Sequence, residues 1–360
     1  VSKRRIRGLV GLIISAALLW WVLHDVSLAE VWTEIRGADP WLLTASVVVA
    51  TAGFAVRAAR WRVLLLPNAP GVGFRPRFAA VCIGFMANNV LPARLGEFAR
   101  AFSLSKISDV GMSESFASLV VERVFDGLVV AFFLFLSISV PGFVSAGIGA
   151  DSTIRDLTAV GAGLFGLALV VLWLMVRYPD RTLTLFEATA GRVLPPHLTD
   201  RGIEVLSGFI DGLGSLHDPV LFLRALAWSF AVWLWLAASI WLGLLAFDIT
   251  APGFTGAVFV QSLIAFAVAI PSSPGFFGPF EAAAKLALGL YGVASAQVVG
   301  FATGYHILTF IPVSLMGIWY VRVLGIEWSE VERSEEIVES TVEEGDGSDD
   351  RERATRDAGD

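Results

Sequence analysis

NNVLPARLGEFARA at residues 88–101 and PSSPGFFGPFEAAAK at residues 271–285 interrupt two long apolar stretches, 78–104 and 254–290, that would otherwise read as simple helices. Proline has no amide hydrogen and glycine weakens a helix, so each interruption frees backbone polar groups that hydrocarbon cannot satisfy. Such backbone is tolerated only inside protein or beside a water-filled cavity. Both stretches therefore read as re-entrant helical hairpins. They also share a spacing: Pro92 precedes Gly96 and Phe98 as Pro274 precedes Gly278 and Phe280. The match is short, and two proline–glycine breaks can align by chance. Counting crossings between them brings the first hairpin in from the cytoplasm and the second from outside, which makes the repeat an inverted one. Broken helices at matching places in two inverted halves point to a transporter's substrate site near the midplane.

Composition sets the solvent. The chain is 56% hydrophobic and only 16% charged, against about 25% charge in a soluble domain, so the bilayer surrounds most of it. Apolar runs near 8–23, 41–57, 115–140, 158–176, 225–247 and 297–321 are long enough, or nearly so, for a core of about 30 Å. The expected fold is all-α and polytopic, with about six transmembrane helices plus two re-entrant helical hairpins forming the inverted repeat. The membrane domain takes residues 1–325, and residues 326–360 form an acidic, disordered cytoplasmic tail. The first run follows the basic segment Lys3 to Arg7 and has the outline of a signal peptide. Trp20 and Trp21 favour a retained helix, as an interfacial anchor.

Arginine and lysine orient the chain. Lys3 to Arg7, then Arg57, Arg60, Arg62, Arg75 and Arg77, then Arg177, Arg181, Arg192, Arg201 and Arg224 fall in alternate loops. These loops and both termini are expected on the cytoplasmic side of a prokaryotic plasma membrane. The net charge of −7 comes from the tail. Cys82 alone excludes an internal disulfide, and four scattered histidines give no metal site. No cofactor and no nucleic-acid partner is expected.

Charges inside apolar segments need partners or water, since each costs about 2.5–3.5 kcal/mol at the bilayer centre. Arg94, Glu97 and Arg100 lie three apart after the first break and share a helix face. An arginine-rich face beside a helix start suits an anionic headgroup; the alternative is a salt-bridged helix at the membrane surface. Glu122, Arg123 and Asp126 stand inside the third run and either complete the same cavity or neutralise its arginines. Glu281 and Lys285 have the i, i+4 order of a helix pair, structural or functional. His306 is a candidate proton carrier or a packing residue.

At these residues the chain resembles the transmembrane region of lysylphosphatidylglycerol synthases, the flippase-like family. The resemblance is carried by RAARWR from Arg57, GFMANNVLPARLGEFARAF, SFASLVVERVFDG, PSSPGFFGPFEAAAKLAL and GYH, in that order, over roughly residues 5–325. It implies a polytopic protein that moves aminoacylated phospholipids or isoprenoid-linked sugars between leaflets. The matching positions are Asn89, Pro92, Arg94, Gly96, Glu97, Arg100, Glu122, Arg123, Asp126, Pro274, Gly275, Gly278, Glu281 and His306. The full synthases carry a soluble aminoacyl-transferase domain after this region, where the present sequence has the acidic tail. Synthesis of lysyl-lipid is therefore not implied.

The functional expectation is a lipid flippase without enzyme activity. Its expected cargo is an anionic or lipid-linked substrate, a phospholipid or a polyprenyl-phosphate sugar. The expected substrate site comprises Asn89, Arg94, Glu97, Arg100, Glu122, Arg123, Asp126, Gly275, Glu281, Lys285 and His306. Two alternatives remain: a non-catalytic partner of a separate synthase or transferase, and an intramembrane transferase using a lipid-linked donor. No GxxxxGK[ST] loop is present, so uphill transport would need an ion gradient or a partner. Oligomeric state stays open.

Overall fold

A computed structural model describes residues 3–67, 69–91, 95–139, 177–192, 218–270 and 272–338, with isolated positions besides. Among the described residues every regular element is a helix. They are α1 (Lys3–Leu23), α2 (Leu28–Gly37), α3 (Pro40–Leu65), α4 (Phe74–Val90), α5 (Gly96–Ile107), α6 (Met112–Ser139), α7 (Pro179–Ala190), α8 (Pro219–Ala246), α9 (Gly253–Ala267), α10 (Pro279–Gly289), α11 (Ser295–Val323) and α12 (Trp328–Glu332). A single 3-10 turn, Pro274–Phe276, precedes α10.

One order occurs twice. A long helix, a short pair divided by a break and a second long helix make up α3, α4/α5 and α6, and again α8, α9/α10 and α11. Both halves open in the same way: Asp39 and Asp218 cap α3 and α8 by accepting backbone N–H groups, and a proline takes the first helical position. That position suits proline, whose missing donor would be unpaired there.

α3 and α8 lie antiparallel along a seam at the centre. Ser46 Oγ donates to the Ser239 carbonyl at 2.9 Å, and Ser239 Oγ donates to the Ser46 carbonyl at 2.9 Å. Further along, Trp235 Nε1 donates to the Val49 carbonyl at 2.7 Å. Two apolar cores flank the seam. One joins α3, α4, α5 and α6 around Trp61, Ile83, Leu95 and Phe125, and the other joins α8 to α11 around Ile240, Val260, Ala284 and Phe301.

Three helices, α3, α8 and α11, are individually long and apolar enough to cross a membrane. α1 from Gly8 and α2 make a fourth as a pair bent by 82°. α6, with 28 residues, has the length but carries Glu122, Arg123 and Asp126. The run expected at 158–176 is largely outside the described residues. The expected tail begins as helix: Val331, Ser334 and Val338 are buried, and Lys106 of α5 pairs with Glu330. Residues 341–360 lie outside the described residues.

Candidate functional site

Each long helix of the first half brings charge to one place. Arg60 of α3 is fully buried; it pairs with Asp126 of α6 and reaches Glu122 at 2.9 Å. Arg100 of α5 grips Glu122 through two parallel bonds, Nη1 to Oε1 at 2.7 Å and Nη2 to Oε2 at 3.0 Å. Arg123 donates to Glu122 at 2.8 Å and approaches Asp126 at 3.1 Å. From α8, Trp233 Nε1 donates to Asp126 at 2.8 Å. The Arg100 guanidinium lies 3.9 Å from the centre of the Trp61 ring, and Trp61 Nε1 donates to Ser118 Oγ at 2.8 Å. Counting Arg57, four arginines at about 2.5–3.5 kcal/mol each would cost on the order of 10 kcal/mol, comparable to a whole domain's stability. Pairing with the two carboxylates is what makes them tolerable.

Four guanidiniums against two carboxylates leave the network two acids short. Arg57, one turn before Arg60, is 6% exposed, and no hydrogen bond or ion pair to its side chain occurs among the described residues. Its guanidinium sits between two rings instead, 5.1 Å from the centre of Phe85 and 5.7 Å from that of Trp233. Arg57, Phe85 and Trp233 line a cavity of about 340 Å³. Glu97, Arg100, Arg123 and Asp126 supply its polar wall, while Val130, Ile264 and Phe266 supply apolar surface. Phe276, from the second break, lines it together with Gly84 and Asn88 of the first pair. The two breaks thus meet at one hollow.

Local chemistry shapes both breaks. At the first, Asn88 Oδ1 accepts the Gly96 N–H at 2.8 Å and caps α5 across the gap. α4 and α5 touch backbone to backbone there: a Cβ on Gly84 would lie 2.6 Å from the Gly96 carbonyl, and one on Gly96 would lie 2.4 Å from the Gly84 carbonyl. At the second, Gly275 and Gly278 have φ of 73° and 101°, which a side chain would strain, and Phe276 itself has a φ of 61°. α1 seats on this break, with Ser15 Oγ accepting the Ser273 N–H at 2.8 Å.

Several sequence candidates find other roles. Arg94 and Pro92 lie outside the described residues. Asn89 does not line the cavity; its Nδ2 donates to Ser314 Oγ at 2.9 Å and ties α4 to α11. Glu97 faces the cavity half-buried, and Arg100 pairs with Glu122 of α6 rather than within its own helix. Arg123 keeps 43% of its side chain exposed while bonded to both acids. Glu122 is wholly buried beneath it. The i, i+4 pairing of Glu281 with Lys285 is not made. Lys285 pairs with Asp25, just past α1, and donates to the Val22 carbonyl at 2.9 Å. Glu281 accepts the Gly278 N–H at 2.6 Å and contacts His306 Nδ1 at 2.7 Å.

Arg57 and Arg60, which the charge pattern places in a cytoplasmic loop, are buried inside α3, which runs eight residues past the apolar stretch ending at 57. Arg77 is also buried, with Nε donating to the Gly73 carbonyl at 3.0 Å and Nη1 to that of Ala58. The sequence signal was present: Arg57 and Arg60 share one face, and Trp61 beside them continues the apolar run. Trp233 of α8, and Ser229, whose Oγ accepts from Arg60 Nη1 at 3.4 Å, carry no local signal. Among the described residues no three His, Cys, Asp or Glu side chains come together to hold a metal ion.

The family described as Lysylphosphatidylglycerol synthase TM region matches residues 8–317. Glycosyltransferase AglD of Haloferax volcanii is 29% identical over 168 residues, 45% of this chain and 25% of that protein. A UPF0104 membrane protein of Methanocaldococcus jannaschii is 26% identical over 172 residues, 47% of this chain and 49% of that protein. The matches thus span about a quarter and about a half of these curated relatives.

Proposed function

The chain belongs to the lysylphosphatidylglycerol synthase TM region family, and from that premise we propose that it carries a lipid with an anionic headgroup between leaflets, using the cavity beside Arg57. The observation that carries this reading is Arg57 itself, a buried cation without a carboxylate partner among the described residues that faces a hollow of headgroup size. A phosphate oxygen would supply the missing acceptor, and an acyl or polyprenyl chain would follow the apolar wall. Arg123 is the second ligand, since its exposed face remains open to the cavity. Arg60 and Arg100 are held by acids and serve as structure.

This reading treats the cavity as a carrier site rather than a catalytic one. Glu122 and Asp126 are engaged by guanidinium bonds, so neither is a free base. The two broken pairs would be re-entrant from opposite sides, with the repeat inverted and both termini cytoplasmic in a prokaryotic plasma membrane. The antiparallel run of α3 against α8 supports that arrangement. Both curated relatives are archaeal proteins, and one is named a glycosyltransferase. That name favours a lipid-linked sugar as cargo, handed to or from a separate transferase.

Leaflet exchange of labelled phospholipids and of a polyprenyl-phosphate sugar, measured in proteoliposomes, tests the reading. Arginine meets phosphate through a planar two-donor fork that lysine cannot copy. Arg57→Lys should therefore slow exchange about tenfold at unchanged charge, with thermal unfolding little altered. Exchange at the wild-type rate in Arg57→Lys and Arg57→Gln would place the headgroup elsewhere.

A further inference from the structure

We propose that Glu281 and His306 form a proton-binding site that gates the cavity through the second break, making the proton the coupling ion. Glu281 is 3% and His306 7% exposed, and their side chains meet at 2.7 Å. The imidazole stacks on Phe280 with ring centres 4.1 Å apart and lies 4.6 Å from Phe277. Apart from Glu281, no hydrogen-bond partner of the imidazole occurs among the described residues. With its proton on Nδ1 donated to Glu281, the pair carries one negative charge in an apolar setting. One added proton makes it neutral.

Among the described residues the surroundings offer no competing group. Of the helices packed against α10, α9 contains no ionisable side chain. Just past α1, His24 Nδ1 donates to the Trp21 carbonyl at 2.7 Å, and the adjoining Asp25 is held by Lys285. On α11, Tyr305 shares a hydrogen bond with Ser239 at 2.8 Å. Glu34 of α2 lies against Gly300, nearly two turns before His306, and α4 brings Cys82 against Gly317, three turns after it. On α3 and α8, Ser46 and Ser239 each donate to the other's carbonyl.

The proton step balances within the pair. A proton arrives at His306 Nε2 while the Nδ1 proton passes to Glu281 Oε1, leaving a neutral imidazole of the other tautomer and a neutral carboxyl. That carboxyl is the cap of α10. Its bond to the Gly278 N–H changes from charge-assisted to neutral, about half as strong, and its attraction to the positive helix end is lost. The weakened cap adjoins backbone already at positive φ, at Phe276 and Gly278. Phe276 lines the cavity. The six residues from Phe276 to Glu281 thus connect the proton to the hollow.

The coupling rests on the transport reading, whereas the proton site does not, and the test separates them. Gln261 lines the cavity from α9. Gln261→Cys, in the full chain with Cys82→Ala, is labelled by a charged maleimide in proteoliposomes between pH 8 and pH 5.5, with and without His306→Gln. The ratio of the two rates at each pH cancels the thiol's own titration. A ratio that rises at least threefold as pH falls is expected, and Glu281→Gln repeats the comparison should His306→Gln fail to fold. A ratio constant across that range overturns the proposal. In the lipid assay, a pH gradient should change wild-type exchange at least threefold and leave Glu281→Gln indifferent. Exchange that ignores the gradient in the wild type overturns the coupling and leaves transport standing. Absence of exchange alongside a pH-dependent ratio overturns transport and leaves the proton site.

Discussion

After the first break, α5 carries Arg100 into a knot of arginines and acids drawn from α3, α5 and α6; after the second, α10 carries Glu281 to one histidine between aromatic rings. The two halves repeat their helices but not their electrostatics. In the first, charge is concentrated and interlocked, so removing any acid strands several cations. In the second, one carboxylate serves as both helix cap and histidine partner, and the break depends on backbone conformation.

The largest test of that contrast is Glu122→Ala. It leaves Arg60, Arg100 and Arg123 short of a partner, and a buried pair stripped of one member loses about 3–5 kcal/mol. Folded yield and thermal stability in detergent should collapse. Arg60→Ala should cost less in that background than alone, because the two share one network. Additive losses would show that the acids are satisfied independently. Glu281→Gln, in the other half, should cost far less, since an amide oxygen still accepts the Gly278 N–H.

Glycine substitutions come next. Gly84→Ala forces a methyl to within 2.6 Å of the Gly96 carbonyl, and overpacking of this kind costs about 1–3 kcal/mol. Gly278→Ala meets both a close approach at Ser15 and a φ of 101°. Gly289→Ala has open space around its Cβ and lies within α10, so it should be neutral or stabilise by up to about 1 kcal/mol. Denaturation midpoints of the three variants would order them, and equal midpoints would deny that either break is tightly built.

How far the sequence carried this reading depends on the range of the interaction. Both breaks are legible because proline and glycine act on their own backbone, and each falls between the two helices of a pair, α4/α5 and α9/α10. Arg57 and Arg60 were misplaced because counting positive charge treats arginine beside an apolar run as loop, while their partners lie far along the chain. Glu281 shows the same limit. The i, i+4 rule offers Lys285, yet Lys285 is drawn to Asp25 and the buried carboxylate turns to His306 on another helix. Local rules rank local partners and are silent about α11.

The smallest expected effect lies at the C-terminal edge of the first half. Lys106 and Glu330 pair at the surface, and the hydrogen bond from Lys106 holds the Glu330 carboxyl below its usual range. A depressed carboxylate contributes stability above its ordinary titration range and loses it as pH falls through the lowered value. Docking of α12 should therefore weaken only in acid, as the pH falls below the ordinary carboxylate range. Lys106→Ala should remove that acid sensitivity at a cost under about 1 kcal/mol. Protease cleavage near 335, followed against pH, would report it.

The antiparallel seam of α3 and α8 determines where the molecule can yield. Ser46 and Ser239 each satisfy the other's main chain, so sliding one helix along the other would strand two hydroxyls and two carbonyls at once. A seam with that penalty behaves as a chassis. Conformational freedom is pushed outward to the short elements hung on it, α5 with twelve residues and α10 with eleven. Since α5 is pinned by Gly84 and by Arg100, the end of α10 at Gly278 is the joint at which, on the transport reading, the cavity changes shape while the spine stays fixed.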